Sequence, residues 1–200
     1  FLWTGRSRRP KMIREVDAGN RLLWRMTPRR LEAEAIRDAM LSVAGKLNSE
    51  MGGPAFEDVS IVSNNGTTYY EPIDVDGPQF FRRTVYRLNP RGQRSALLDT
   101  FDCPDPASAA PRRNVTTTPL QALSLLNNSF VLRMATYFAE RVEREAGADV
   151  SAQVVRAWQL ALCRDPSTDE LRLSTELVQQ HGLAALCRGL FNSSEFVVVE

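Results

Sequence analysis

Leu98–Asn128 reads LDTFDCPDPASAAPRRNVTTTPLQALSLLNN, and its last eleven residues decide the fold class. Thr118 followed by Pro119 is a helix-start signal: the hydroxyl can cap N–H groups that lack an intrahelical partner, and the proline stands in the first turn, where no N–H is needed. Leu120, Leu123, Leu125 and Leu126 follow at helical spacing until Asn127-Asn128-Ser129 offers a break or a new cap. Ahead of this start lie Asp99, Asp102, Cys103 and Asp105, the loop-stiffening Pro104, Pro106 and Pro111, the Arg112-Arg113 pair and the Thr116-Thr117-Thr118 run. The densest chemistry of the chain therefore sits in a loop that feeds a helix.

Downstream of that loop every segment reads as helix. Roughly Ser129 to Ala146 puts Val131, Met134, Ala135, Phe138 and Val142 on one face and stops at Gly147. Asp149 is placed to cap a third helix with Val154, Val155, Trp158 and Leu162 inward, ended at Arg164-Asp165-Pro166. Ser167 with Glu170 forms a capping box for a fourth, and Leu183 to Phe191 makes a short last one before Asn192-Ser193-Ser194-Glu195-Phe196.

Upstream, Thr27-Pro28 repeats the helix-start signal, and Leu31, Ile36, Met40 and Leu47 recur at helical spacing, with Arg30, Glu34 and Asp38 expected on the solvated side. Between Gly52 and Arg94 that period disappears. Val59–Val62, Thr67–Tyr70 and Arg82–Leu88 look like short strands, with Asn64-Asn65-Gly66 as a turn between the first two. Asp74-Val75-Asp76-Gly77 lacks the further ligands of a calcium loop and reads as a tight turn. The expected fold is mainly α: a helical domain over residues 20–200 with a small inserted β-element, a hairpin or short sheet, at about 59–88, behind an irregular basic lead-in at 1–19.

Composition bounds the function. The 200 residues are 43% hydrophobic with 25 Lys+Arg against 24 Asp+Glu, enough for one cored domain and no global field toward nucleic acid. Residues 1–40 hold ten basic and five acidic side chains, but Trp3 alone does not supply the interleaved aromatics of a nucleic-acid reader. The start at Phe1, without an apolar leader core, reads as one domain of a longer protein with no membrane span in this part. Cys103, Cys163 and Cys187 form no CxxC pair, and His181 is the only histidine, so no metal site is expected and each cysteine is expected to be a small buried hydrophobe. Trp24 and at least one of Phe80-Phe81 are expected in the core.

The blocks NRLLWR, RRLEAEAIRDAML, GGP, RRTVYR, FDCPDP, TTTPLQAL and LCRGLFNSSEF, in that order, resemble a planctomycete-specific domain of unknown function over roughly residues 20–198. The resemblance implies the C-terminal part of a large exported bacterial protein, periplasmic or at the cell surface, commonly behind a cytochrome c module. Haem c is implied only for upstream domains, and no cofactor is expected in this part.

The expected function is a non-catalytic module that associates with carbohydrate, acidic or sulfated, or with the upstream domains of the same polypeptide. Arg112, Arg113 and Thr117 would offer guanidinium and hydroxyl donors beside the helix start, with Asp102 and Asp105 either in the site or pairing with an arginine to pin the loop. Arg83, Tyr86, Gln121 and Asn127 complete the candidate ligand-binding set. The alternative is a hydrolase or lyase on an acidic or sulfated polysaccharide, with Asp99, Asp102 or Asp105 as acid or base; such chemistry needs two carboxyls at fixed separation, which this spacing does not provide.

Overall fold

In the computed structural model, which describes residues 17–199, the chain runs β1 (Arg29–Arg30), α1 (Ala33–Val43), β2 (Val59–Asn64), β3 (Thr67–Pro72), two 3-10 turns (Pro78–Phe80 and Thr84–Tyr86), α2 (Ala96–Thr100), α3 (Pro119–Asn127), α4 (Ser129–Ala146), α5 (Val150–Leu162), α6 (Thr168–His181), α7 (Leu183–Phe191), α8 (Ser194–Val197) and β4 (Val198–Val199). The fold is mainly helical with a small β-element, as expected. Most of the lead-in, Trp3 included, lies outside the described residues.

The carboxyl half follows its periodicity. α4 buries Val131, Met134, Ala135, Phe138 and Val142 on one face, and α7 packs on α4, α5 and α6. Phe138 and Phe191 stack at 5.5 Å with both side chains fully buried, a pair whose truncation to alanine costs about 3–5 kcal/mol per ring. The caps form as read: Asp149 accepts from the Ala152 amide at 3.0 Å, and Ser167 and Glu170 cap one another's amides. Arg164 forks between Glu170 and Glu195 and lies 4.7 Å over the Trp158 ring, tying the α5–α6 turn to α8.

Several expectations are corrected. Thr27-Pro28 does not start a helix: Arg29 and Arg30 pair antiparallel with Val199 and Val198, the Leu31 amide bonds the Val197 carbonyl, and α1 begins only at Ala33. Pairing with the far end of the chain overrides the local signal. None of Arg30, Glu34 and Asp38 lies on a solvated helix face: Arg30 and Glu34 reach the 102–116 loop, and Asp38 accepts from the Thr84 amide and hydroxyl at 2.8 and 2.6 Å. Arg82–Leu88 is no strand; it makes a 3-10 turn flanked by isolated bridges, Asn48 to Arg82 and Phe56 to Arg87. In α3 only Leu125 of the four leucines is buried, while Leu120 and Leu123 are 63% and 55% exposed and polar Gln121 faces inward.

The Asn65-Gly66 turn does close a hairpin, β2 pairing with β3 from Val59↔Pro72 to Asn64↔Thr67, with positive φ at both turn residues. Among the cysteines only Cys187 is buried; Cys103 is half-buried, and Cys163 is exposed because it caps α5 in a left-handed conformation, φ 55°. Phe81 joins the core, whereas Trp24 is half-buried and donates its indole N–H to the Asp17 carbonyl at 2.9 Å.

Candidate functional site

α2 ends at Thr100, and two residues later Asp102 adopts a left-handed backbone, φ 63°, which turns its carboxylate back toward the helix-start loop. Asp102 accepts from Arg30 Nη2 at 2.5 Å, from the Thr116 amide at 2.8 Å and from the Thr116 hydroxyl at 2.9 Å. Arg30 also donates to Gln121 Oε1 at 2.9 Å and to the carbonyls of Thr116 and Phe101. Gln121 in turn donates to the Thr100 carbonyl at 3.0 Å. The Arg30 and Asp102 side chains are only 8% and 16% exposed. Burial alone would raise the Asp102 pKa, but the Thr116 donors and the Arg30 guanidinium outweigh it and hold the carboxyl below its usual range.

A second ion pair closes the same loop. Arg113 grips Glu34 with both guanidinium nitrogens, at 2.7 and 2.8 Å, and lies 3.5 Å from Glu32. This fork keeps Glu34 ionised, holding its pKa down against the opposing effect of burial. Cys103 Sγ lies 3.7 Å from Glu34 Oε1, and burial together with that negative charge pushes the thiol up to about 11. Cys103 is therefore a protonated, poorly nucleophilic thiol at neutral pH.

A cavity of about 260 Å³ opens where the base of the hairpin meets the 3-10 turns, α2 and the start of α4. Phe56, Phe80, Phe81 and Phe130 give it aromatic walls, and Arg37, Asp58, Arg87 and Arg133 give it charge. Arg37, 8% exposed, donates to the carbonyls of Arg82 and Phe80 and to the Thr84 hydroxyl, and its guanidinium lies 5.3 and 5.1 Å from the Phe56 and Phe130 rings. Burial lowers its pKa to about 10, so it stays charged at neutral pH. Asp58 accepts from Arg87 Nε at 2.7 Å through one oxygen, while its Oδ1 is buried with no hydrogen-bond partner. Arg133 bonds Asp74 at 2.5 Å and the Val75 carbonyl, yet its Nε makes no hydrogen bond, lying 3.7 Å from Asp76.

The family model described as PSD1, a protein of unknown function (DUF1553), matches residues 3–178. The chain belongs to that family. No curated protein and no solved structure matched it. The match starts upstream of the residues that carry the resemblance read from the sequence and stops before the LCRGLFNSSEF block.

In this PSD1-family domain Asp102, Gln121 and Arg113 do come together around the loop, but with partners that sequence did not name: Arg30 takes Asp102, and Glu34 takes Arg113. Asp105 accepts from the Ala107 amide within its own turn at 2.8 Å. Arg112 and Thr117 are exposed, and Arg112 makes no hydrogen bond or ion pair among the described residues. Asn127 bonds the Leu123 carbonyl of its own helix. Arg83 lies 3.9 Å from Asp38, and the Tyr86 hydroxyl accepts from the Gly52 amide, so both belong to the 3-10 segment rather than to the loop.

Among the described residues no three His, Cys, Asp or Glu side chains converge on a point, and Asp99 pairs with Arg94 at 3.0 Å. No helix of the described residues is long and apolar enough to cross a membrane. Sequence reasoning missed Arg30, Glu34, Arg37, Asp58 and Arg133. The one signal available was Arg37, a charged residue beside Ile36 and Met40 on the apolar stripe of α1.

Proposed function

We propose that this domain is a non-catalytic association module of an exported protein, and that it docks a neighbouring domain of its own polypeptide through the loop at residues 20–26. The observation that carries the reading is the presentation of Leu22 and Leu23, which are 79% and 82% exposed on a loop that is nonetheless pinned. The Asp17 carboxylate accepts the amides of Arg21 and Leu22 at 2.8 Å each, and the Asn20 side chain bonds the Arg25 carbonyl at 2.7 Å and its amide at 3.1 Å. Leu23 holds φ 53°, an uncommon conformation for a branched side chain.

Two adjacent leucines left in water forgo about 1.5–3 kcal/mol each of burial, and fixing them on a strained, hydrogen-bonded loop suits insertion into an apolar pocket at little ordering cost. Met26, 61% exposed, extends the same patch, and Arg21 and Arg25 flank it. The loop aspartates favour a non-catalytic role. Asp102 is committed to three donors with its pKa held down, where a general acid needs it raised.

Arg113, occupied by Glu34, is less available to an anionic sugar than its sequence context implied, and that favours docking over carbohydrate at this loop. The test is titration calorimetry of the domain against the separately expressed region that precedes it in the natural polypeptide. Leu22→Ser with Leu23→Ser weakens binding at least tenfold without changing the melting temperature by more than a degree or two. Unchanged affinity in the double variant, or no binding by the wild type, refutes the reading.

A further inference from the structure

We infer that the outer edge of β2 is a self-association surface, onto which β2 of a second copy of this chain adds antiparallel. The inference rests on the hairpin alone and is independent of docking through Leu22 and Leu23. Ile61, Val62 and Tyr69 are 50%, 44% and 53% exposed, and of residues 60–71 only Ser60 and Tyr70 are even half-buried. Each face of the hairpin carries one aliphatic–tyrosine pair, Ile61 opposite Tyr70 on one side and Val62 opposite Tyr69 on the other. A free two-stranded hairpin is marginal in water, and further strands stabilise it.

Hydrogen-bond parity identifies the open groups. The Ile73 amide bonds the Asp58 carbonyl at 3.0 Å, one step below the Val59↔Pro72 pair. Alternation then makes Ser60 with Glu71, Val62 with Tyr69, and Asn64 with Thr67 the hydrogen-bonded pairs inside the hairpin. Ile61 and Ser63 on β2 therefore aim their backbone groups outward, as do Thr68, Tyr70 and Pro72 on β3. Among the described residues nothing bonds the backbone of Ile61 or Ser63 from outside.

The two edges are not equally open. Pro72, which has no N–H, and charged Glu71 blunt the β3 edge at its base, whereas β2 carries neither a proline nor a charge along its length. Val59 is 5% exposed, so the free stretch of β2 begins at Ser60.

That stretch is complementary to itself. An antiparallel twofold register centred on Val62 faces Ile61 with Ser63 of the second copy, so both outward residues exchange their amide and carbonyl bonds. Ser60 then faces Asn64 of the second copy, and Val62 faces Val62 with Cα atoms about 4.5 Å apart. Tyr69, Val62, Val62 and Tyr69 line up as one apolar row across the joined sheet. No charged residue lies between Val59 and Tyr70, and Glu71 falls in the row of Ser60, Asn64 and Thr67, so no like charges meet. The joined sheet runs β3-β2-β2-β3 and ends on the blunted edges, which closes it as a dimer. A contact of this length buries less than the ~1,200 Å² of a standard interface, so the dimer is weak and concentration-dependent.

Sedimentation equilibrium of the 200-residue chain at concentrations up to about 1 mM is the experiment. The wild type shows a reversible monomer–dimer equilibrium. Val62→Lys and Val62→Glu each place like charges directly opposite and weaken association at least tenfold, while an equimolar mixture of the two restores it, which also shows that both variants retain the hairpin. Thr68→Pro, which removes an outward N–H from the β3 edge only, leaves association unchanged. A wild type that stays monomeric or assembles beyond a dimer overturns the assignment. So do Val62 variants that associate like the wild type, a mixture that stays monomeric, and a Thr68→Pro chain that no longer dimerises.

Discussion

Replacing Asp102 with alanine removes the acceptor that Arg30 and Thr116 share, and the structure sets the size of the loss. Arg30 is 8% exposed at its side chain, so the substitution leaves a nearly buried guanidinium without its carboxylate. Breaking a buried ion pair from one side costs about 3–5 kcal/mol. Arg30 keeps Gln121 Oε1 and two carbonyl acceptors, which puts the expected loss near the lower end, about 3 kcal/mol.

Alanine also tolerates the left-handed backbone at this position, φ 63°, less well than aspartate. At ~2–4 °C per kcal/mol for a domain of this size, the melting temperature falls by about 6–12 °C. Asp102→Asn keeps an acceptor and suits the backbone, so it loses clearly less. Urea and thermal melts of both variants and of Arg30→Met measure this, and a double-mutant cycle isolates the pair. A loss below about 1 kcal/mol for Asp102→Ala, or no coupling between the two positions, refutes the claim that this pair closes the loop.

Three further outcomes follow from the same contacts. Arg113→Ala opens a pair whose side chains are 39% and 29% exposed, so it costs only about 1 kcal/mol, read as a small shift in the urea midpoint. Asp102, Glu34, Glu145 and Glu170 all have folded pKa values below their unfolded ones; the chief downward causes are Thr116 and Arg30 for Asp102, Arg113 for Glu34, Arg141 for Glu145, and Arg164, which takes Glu170 to about 2. Their contribution is therefore complete above the unfolded carboxylate range, about pH 4–5. It is lost as the pH falls from there toward 2, because the unfolded chain then binds more protons. Melts between pH 7 and 2 check it, and a stability that rises on acidification contradicts it. With a thiol reagent at pH 8, exposed Cys163 reacts first, half-buried Cys103 slowly, and buried Cys187, whose thiol burial pushes up, only on unfolding; equal rates for all three contradict the placement.

The parts of the fold visible in the sequence are those fixed by neighbours along the chain. The α4 stripe from Val131 to Val142, the Asp149 cap, the Ser167–Glu170 box and the Asn65-Gly66 turn each depend on residues a few positions apart. Thr27-Pro28 misled because Arg29 and Arg30 find Val199 and Val198 at the other end of the chain, where ladder hydrogen bonds replace the first turn of a helix. The loop was recognised as a place of concentrated chemistry, yet its partners were not, since Arg30 reaches Asp102 across 72 residues and Glu34 reaches Arg113 across 79. The cavity was invisible for the same reason. Its charged groups come from α1, the hairpin base, the 3-10 segment and α4, and none of them is near another in sequence.

Hydrogen–deuterium exchange of the domain alone and mixed with the upstream region that the proposed docking requires tests that role most directly. The account predicts slowed exchange confined to residues 20–26 and their immediate surroundings in the mixture, with the hairpin base and the 102–116 loop unchanged. Protection that leaves residues 20–26 untouched, or no protection anywhere, contradicts it.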